Sequence, residues 1–364
     1  MKRVFLYAYD RQNLGDDLFV HTITRRYPDV QFYIWSDRKN RETFSSLSNL
    51  KVIDKDSRMV HILRKLRASF VPKYRSWLEK RCEAVVYIGG SIFMEYPNWE
   101  QVCAWWEYES KNRPLYVLGA NFGPWHTEAY RQKMEDVFRD CRDVCFRDRY
   151  SQGLFPNTIV VRQAPDILFS YPIPKAEVKE KQLFVSVVDC AGKTEGAQTL
   201  RGFEDRYLSG MAQMLFGYLQ QGWRVILASF CQSEGDQLAA DRIRKTMGIP
   251  EEDSRVGMLA YDGSNAAVLT EAIAASEYVI ATRFHGVILA LAAGRPVFPV
   301  IYSDKTARVL EDIRFQGEWA DLRRPEPLSF ESSVGNLRRQ NCSMDQSVCI
   351  NANVHFAKLD ELLK

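Results

Sequence analysis

Long hydrophobic runs are missing from this chain of 364 residues. Its apolar stretches have the length of single buried elements, far short of the roughly 20 residues that span a bilayer. An excess of one charge is missing too. With 49 Lys and Arg against 46 Asp and Glu, the net charge is +3, which gives no electrostatic reason for a nucleic-acid partner, and no zinc-finger or RNA-binding signature supplies another. The eight cysteines (Cys82, Cys103, Cys141, Cys145, Cys190, Cys231, Cys342, Cys349) follow neither a disulfide-framework nor a zinc-ligand spacing. Free thiols in a reducing cytoplasm fit that usage. The first nine residues form a short β-like run stopped by Asp10 and Arg11, not a signal peptide. Internal repeats and low-complexity tracts are absent. Histidine is scarce, five in all, so each one can be weighed by its own surroundings.

What is present is a soluble globular composition, 46% hydrophobic and 26% charged, in a chain too long for one ordinary core. Short apolar runs alternate with amphipathic stretches. The patterning predicts strands at residues 3–9, 31–35, 51–53, 84–88, 115–118, 144–146 and 158–161, then at 183–188, 223–230, 256–259, 278–281 and 297–302. Helices are predicted at 16–27, with Asp16 as N-cap, and at 203–220, 234–247, 266–275 and 287–293. Alternation of this kind implies parallel sheets covered by helices on both faces. Pro172, Pro174 and a run of Lys and Glu mark a linker at 170–181. The expected fold is α/β, two Rossmann-like domains facing across a cleft, with boundaries at 1–172 and 173–325 and an extension at 326–364.

The segment from Ala281 to Lys305 is the most informative. An apolar strand runs into Arg283, His285 and Gly286 and at once into a helix; Gly294 and Pro296 end that helix, and Lys305 follows the next strand. Cations and an imidazole thus collect at strand ends and helix starts, where open α/β sheets bind ligands and helix N-termini favour anions. His21, His61, His126 and His355 lack such company. Near the start, Asn13-Leu14-Gly15-Asp16-Asp17 follows the first strand; Gly15 permits a tight turn, and Asp16 fits either a cap or a ligand contact. Gly89-Gly90-Ser91 and the loop from Gly119 through Asn121 to Pro124 end two successive strands and let a ligand approach the backbone. Arg147-Asp148 ends another strand and fits a surface ion pair or a ligand cation equally. Asp166 reads as structural, and the segment from Ser229 to Asp236 offers Ser, Gln and the carboxylate of Glu234 at a strand end.

The stretch from Arg58 to Arg81 holds eight Lys or Arg against one acid, Glu79, and Met59, Ile62, Leu63, Leu66 and Phe70 form a helical apolar stripe. Such a segment either packs its stripe on the core or makes peripheral contact with an anionic membrane surface.

In order along the chain, Asn13-Leu-Gly-Asp, Gly89-Gly90, Gly119 to Gly123-Pro124, Arg147-Asp148, Ala164-Pro-Asp166 and Arg283-Phe-His285 with Gly294-Arg-Pro296 and Tyr302-Ser-Asp-Lys305 resemble the polysaccharide pyruvyl transferases. The resemblance runs from about residue 3 to 310. It implies a glycosyltransferase-B-like fold, phosphoenolpyruvate as donor, and a pyruvate ketal placed on a sugar of a cell-surface polymer or its lipid-linked precursor. Ser91 and Ala120-Asn121 stand where many members carry further glycines, departures that bear on the acceptor side.

Phosphoenolpyruvate carries a phosphate and a carboxylate, so its pocket needs cations. Arg283, Lys305 and Arg147 are the donor-side candidates, with Gly286 at the helix start. Protonation of the enol methylene needs a general acid, and His285 is the candidate. The base is Asp16, Asp17, Glu234 or the departing phosphate. Asn13, Gly15, Asp17, Gly89, Gly90, Asn121 and Glu234 are the candidates for the acceptor side or cleft. Neither metal nor cofactor is called for beyond the phosphoenolpyruvate co-substrate. A cytoplasmic enzyme, peripheral to the inner face of the membrane through the basic stretch, is the expectation. A nucleotide-sugar glycosyltransferase on the same scaffold and a non-catalytic carbohydrate- or nucleotide-binding protein are the rival readings.

Overall fold

In a computed structural model of the protein, the described residues are 1–67, 69–192, 194–195, 198–340 and 345–364, the side chains of 194, 195, 198 and 199 excepted. Cys342 lies outside them; the other seven cysteines are free thiols. The chain divides into two compact units. One comprises Met1–Asp10, Asp16–Ile167 and Asn351–Lys364, the other Arg11–Gly15 and Leu168–Ile350.

The first unit holds seven parallel strands: β1 (Arg3–Tyr7), β2 (Gln31–Ser36), β3 (Leu50–Asp54), β4 (Ala84–Ile88), β5 (Leu115–Ala120), β6 (Asp143–Phe146) and β7 (Val161–Gln163). Their order is β3-β2-β1-β4-β5-β6-β7. Strands β4 and β5 are buried along their whole length, as continuous apolar runs are when helices cover both faces. On one face the core is aromatic, with Phe93, Phe122, Phe138, Phe146 and Phe155 all buried. Strand order reverses between β1 and β4, so the loops leaving those two strands border the crevice that such a reversal creates. The strand expected at 158–161 instead begins at Val161. Thr158 N donates to Phe155 O and Val161 N to Thr158 O, two successive turns that delay it.

The second unit repeats the topology. Strands β8 (Lys179–Ser186), β9 (Arg224–Ser229), β10 (Val256–Ala260), β11 (Ser276–Ala281), β12 (Val297–Ile301) and β13 (Ala320–Asp321) form one sheet. The order is β10-β9-β8-β11-β12-β13, reversing between β8 and β11. Helix Glu204–Gln220 buries Tyr207, Met211, Met214, Leu215 and Tyr218 in the core of this unit. Strand β8 starts inside the stretch expected to be linker, because Lys179 pairs with Ser276 of β11.

The described residues of 326–364 divide between the two units. Helix Phe330–Arg339 joins the second unit, its Ser333 hydroxyl 3.0 Å from that of Tyr218. The last residues join the first unit, where Asp360 accepts from Arg26 and Tyr27.

Candidate functional site

The second unit concentrates its chemistry where β11 leaves the sheet. Thr282 N donates to Ser186 O of β8 at 2.9 Å, and the Thr282 hydroxyl lies 3.0 Å from that of Tyr207, which also accepts from Val188 N. Arg283 remains extended and serves as N-cap of the helix Phe284–Ala292. The sequence pattern places this helix from Val287; it begins three residues earlier, and His285 therefore sits in its first turn. Gly286 is buried against β8: a Cβ there would lie 2.4 Å from Ser186 Oγ. Close packing of helix on strand requires a residue without a side chain here, at the helix start where the sequence expects the donor side.

Arg283 is buried and committed to carboxylates. Its Nε donates to Asp236 Oδ2 at 2.7 Å and its Nη1 to Glu234 Oε2 at 2.7 Å, while Nη2 donates to Asp236 Oδ1. Burial by itself would lower the Arg283 pKa; the charges of Asp236 and Glu234 outweigh it and hold the value well above the ordinary one. Asp236 is fully buried and also accepts from Phe230 N and Cys231 N at 3.1 and 3.0 Å. One buried cation thus joins the end of β9 to the end of β11. Gly235 makes the bend between the two acids, with φ +84°, and a Cβ there would lie 2.5 Å from Asp189 Oδ2. The sequence offers Glu234 as a base or for the acceptor side or cleft; Asp236 is brought to Arg283 by the fold. A carboxylate opening a helix just after a strand end was the available signal. Its partner came from strand order, because β9 is two places from β11.

His285 meets the other end of the sequence. A Cβ on Gly15 would lie 1.7 Å from its Nδ1, so the imidazole rests against the Gly15 backbone. Segment Arg11–Gly15 is held there by two hydrogen bonds: Leu14 N donates to Phe230 O at 3.0 Å, and the Ser233 hydroxyl donates to Arg11 O at 3.3 Å. The helix that follows spans Leu14–Arg26. Its cap is Asn13, whose Oδ1 accepts from Gly15 N at 3.2 Å. Asp16, expected as the cap, is the helix's third residue, and its carboxylate with that of Asp17 lies in the first turn, where the helix dipole favours negative charge. Lys305 is half-buried in the first turn of helix Asp304–Asp312, which follows β12, the neighbour of β11.

Arg147, grouped from the sequence with the donor cations, lies in the first unit. It is buried and donates to Asp166 Oδ2 at 3.1 Å and Asn121 Oδ1 at 2.7 Å. Asn121 N donates to Gly90 O at 2.8 Å, and a Cβ on Gly90 would lie 2.5 Å from Arg147 Nη2. The guanidinium is therefore stacked on the Gly90 backbone and ties the loops after β4, β5 and β6 together, with Asp166 as counter-ion. Gly89, with φ +154°, would place a Cβ 3.9 Å from Asp16 Oδ1. Asp16, Gly89, Gly90, Asn121 and Arg147 thus meet at the carboxyl ends of this sheet. In the second unit the same edge brings together Asn13, Gly15, Glu234, Arg283, His285 and Gly286.

The sequence profile of the polysaccharide pyruvyl transferases matches residues 13–304. The chain belongs to the polysaccharide pyruvyl transferase family. Arg283, His285 and the Asn13 cap lie inside the matched span. The chain is also similar to the amylovoran biosynthesis protein AmsJ of Erwinia amylovora, 21% identical over 253 residues that cover 64% of this chain and 60% of that protein. The match therefore spans less than two thirds of that relative's length. Among solved structures, Anabaena Alr3699/HepE in complex with UDP superimposes with a TM-score of 0.56 at 11% identity, covering 100% of this chain and 99% of that one. UDP-GlcNAc 2-epimerase from Neisseria meningitidis bound to UDP-GlcNAc gives 0.53 at 10% identity, with 100% of both chains covered. A putative UDP-N-acetylglucosamine 2-epimerase from Listeria monocytogenes gives 0.59 at 10%, covering 99% and 94%. At these identities the likeness concerns the fold, which is glycosyltransferase-B-like. No described helix is long and apolar enough to cross a membrane.

Proposed function

We propose that the protein transfers pyruvate from phosphoenolpyruvate to two hydroxyls of one sugar, in a cell-surface polysaccharide or its lipid-linked precursor. The observation that carries this reading is His285, set in the first turn of a helix at the strand-order reversal of the second unit, beside Arg283, in a member of a pyruvyl transferase family. The enol methylene of the donor takes a proton and becomes a methyl group. One sugar hydroxyl bonds to the adjacent carbon, the C–O bond to phosphate breaks, and the second hydroxyl closes the ketal as the hydroxyl protons depart. His285 suits the first proton transfer, since imidazole titrates near neutrality.

Arg283 enters this chemistry as an oriented cation. Three of its N–H groups already serve Asp236 and Glu234, so Asp236 fixes the direction of those that remain. Lys305 and the starts of helices Phe284–Ala292 and Asp304–Asp312 add positive potential for a phosphate. Lys305→Ala is expected to raise the donor KM with little change in kcat.

Heat protection separates the rival donors. Phosphoenolpyruvate should raise the thermal midpoint of the wild type, and UDP-glucose or UDP-GlcNAc should not. Protection by the UDP-sugars alone would assign the protein to nucleotide-sugar chemistry. Release of inorganic phosphate and appearance of a ketal methyl signal in the acceptor then test the reaction itself.

A further inference from the structure

The basic stretch carries two short helices, Arg58–Leu66 and Phe70–Glu79. If the apolar stripe of the first helix served the core, Met59, Ile62 and Leu66 would be covered. They are 49%, 57% and 69% exposed, and Val60 is the residue that the helix buries. Positions 59, 62 and 66 are three and four apart, so they form one ridge on the outer face. Arg58 and Lys65 neighbour Ile62 on that helix at the same spacings, and both are exposed. The second helix adds Trp77, 48% exposed, with Tyr74 stacked on it at 6.0 Å and the Arg81 guanidinium 3.3 Å from its ring centroid.

The acids nearby do not cancel this charge. Asp56 pairs with Arg64 at 3.6 Å, and Glu79 is buried, facing Tyr7, Arg75 and Arg113. Arg58, Lys65 and Arg67 remain exposed on and just after the ridge helix, and Lys73 and Lys80 on and just after the next one. The inner face is anchored: Arg113 Nη2 donates to Ser76 Oγ at 2.6 Å, and Leu78 packs on the aromatic core. The ridge therefore stands on a supported platform.

We propose that this face docks on an anionic lipid surface. Met59, Ile62 and Leu66 enter the headgroup boundary, Trp77 lies at its level, and the exposed Lys and Arg pair with lipid phosphates. The charge complementarity selects this occupant. An apolar ridge alone suits a second protein copy equally, whereas one on a helix pair that exposes five cations repels its own copy and suits a negatively charged surface. The proposal goes beyond the donor chemistry, and vesicle flotation reads it without turnover.

The test is flotation of the full-length protein with phosphatidylcholine vesicles, with and without phosphatidylglycerol. The wild type should float with the mixed vesicles, stay behind with phosphatidylcholine alone, and be released by high salt. Ile62→Ser with Leu66→Ser, and separately Lys65→Glu with Arg67→Glu, should each lower the floated fraction at least about tenfold at an unchanged thermal midpoint and unchanged phosphoenolpyruvate protection. Absence of wild-type flotation, or equal flotation by both variants, overturns the proposal. A wild-type dimer that Ile62→Ser with Leu66→Ser converts to monomer, without any vesicle binding, overturns it in favour of self-association. Loss of donor protection in the wild type would count against the pyruvyl-transfer reading and leave the flotation result standing.

Discussion

Gly15 and His285 lie at opposite ends of the matched span, and the structure presses one against the other. A methyl group on Gly15 would stand 1.7 Å from the imidazole nitrogen, a clash that only rotation of the ring or displacement of the helix start relieves. Gly15→Ala is therefore expected to behave as a mild copy of His285→Gln. The latter should lose roughly 10²-fold in kcat, the usual scale for a missing general acid, at little cost in stability. Gly15→Ala should lower kcat by at least tenfold and cost about 1–3 kcal/mol for overpacking. Full kcat in Gly15→Ala, measured by phosphate release, would separate His285 position from turnover. A second expectation concerns Arg283. Removing it alone leaves Asp236 buried without its counter-charge, which costs about 3–5 kcal/mol, so a raised donor KM in Arg283→Ala cannot by itself be assigned to lost binding. The double variant Asp236→Asn with Arg283→Gln resolves this. It should be more stable than the sum of the single changes implies, a coupling of at least about 1 kcal/mol in denaturant melts, while donor protection stays lost. Strictly additive melts would mean that the pair contributes no net coupling. The sequence made Arg283 and His285 legible because an apolar strand ran straight into them. Asp236 was not legible as their partner, since only strand order brings β9 close to β11.

At the scale of elements, the core strands and long helices were readable from apolar periodicity, and their ends moved by a few residues where capping or pairing intervened. Asn13 caps the first helix in place of Asp16 because its side chain reaches Gly15 N. Strand β13, two residues long, is too short for any period to show. The outward turn of Met59, Ile62 and Leu66 was also hidden, because a helical stripe looks the same whether it faces core or solvent. Glu79 ties the end of the next helix to the core. It is buried, accepts from the Tyr7 hydroxyl of β1, and faces Arg75 at 3.4 Å and Arg113 at 3.5 Å. Glu79→Gln keeps the shape and removes the charge, stranding two guanidinium groups near the core. The expected cost is about 3 kcal/mol, several degrees in thermal midpoint, with enhanced proteolysis within residues 58–81 ahead of global unfolding. If cleavage in that stretch is unchanged, the helix pair is held by its apolar contacts instead.

For the whole molecule, buried titratable groups of opposite tendency set the pH range of stability. His355 is fully buried, with Nε2 2.9 Å from Pro165 O; a carbonyl only accepts, so this nitrogen carries the proton of the neutral ring. Burial, helped by Arg162, lowers its pKa from 6.5 to about 3. Burial and Arg25 lower that of His21 from 6.5 to about 4. A group depressed in this way contributes stability that is complete above its unfolded value and is lost as pH falls from 6.5 toward the folded value. The slope approaches about 1.4 kcal/mol per pH unit for each histidine. Glu109 runs the other way: burial, with the nearby charge of Glu79, raises its pKa from 4.5 to about 7. Its contribution is complete below 4.5 and is lost as pH rises through 7. Arg75 and Arg113 limit that loss. As pH falls below 6.5 the two histidines lose stability faster than the single Glu109 regains it, and between 6.5 and 7 the Glu109 loss with rising pH predominates, so the thermal midpoint should peak between about pH 6 and 7. Two substitutions divide the profile. His355→Asn should lose less thermal midpoint than the wild type between pH 7 and 5, even where its absolute stability is lower. Glu109→Gln should gain on the wild type from pH 5 to about 7 and level off above it, since the unfolded chain ionises this carboxyl in that window while the folded one resists. Melting curves of the three proteins at half-unit intervals of pH measure both differences. A constant offset between wild type and either variant across that range would mean that the substituted group does not change its protonation on unfolding, and its burial would then carry no pH dependence.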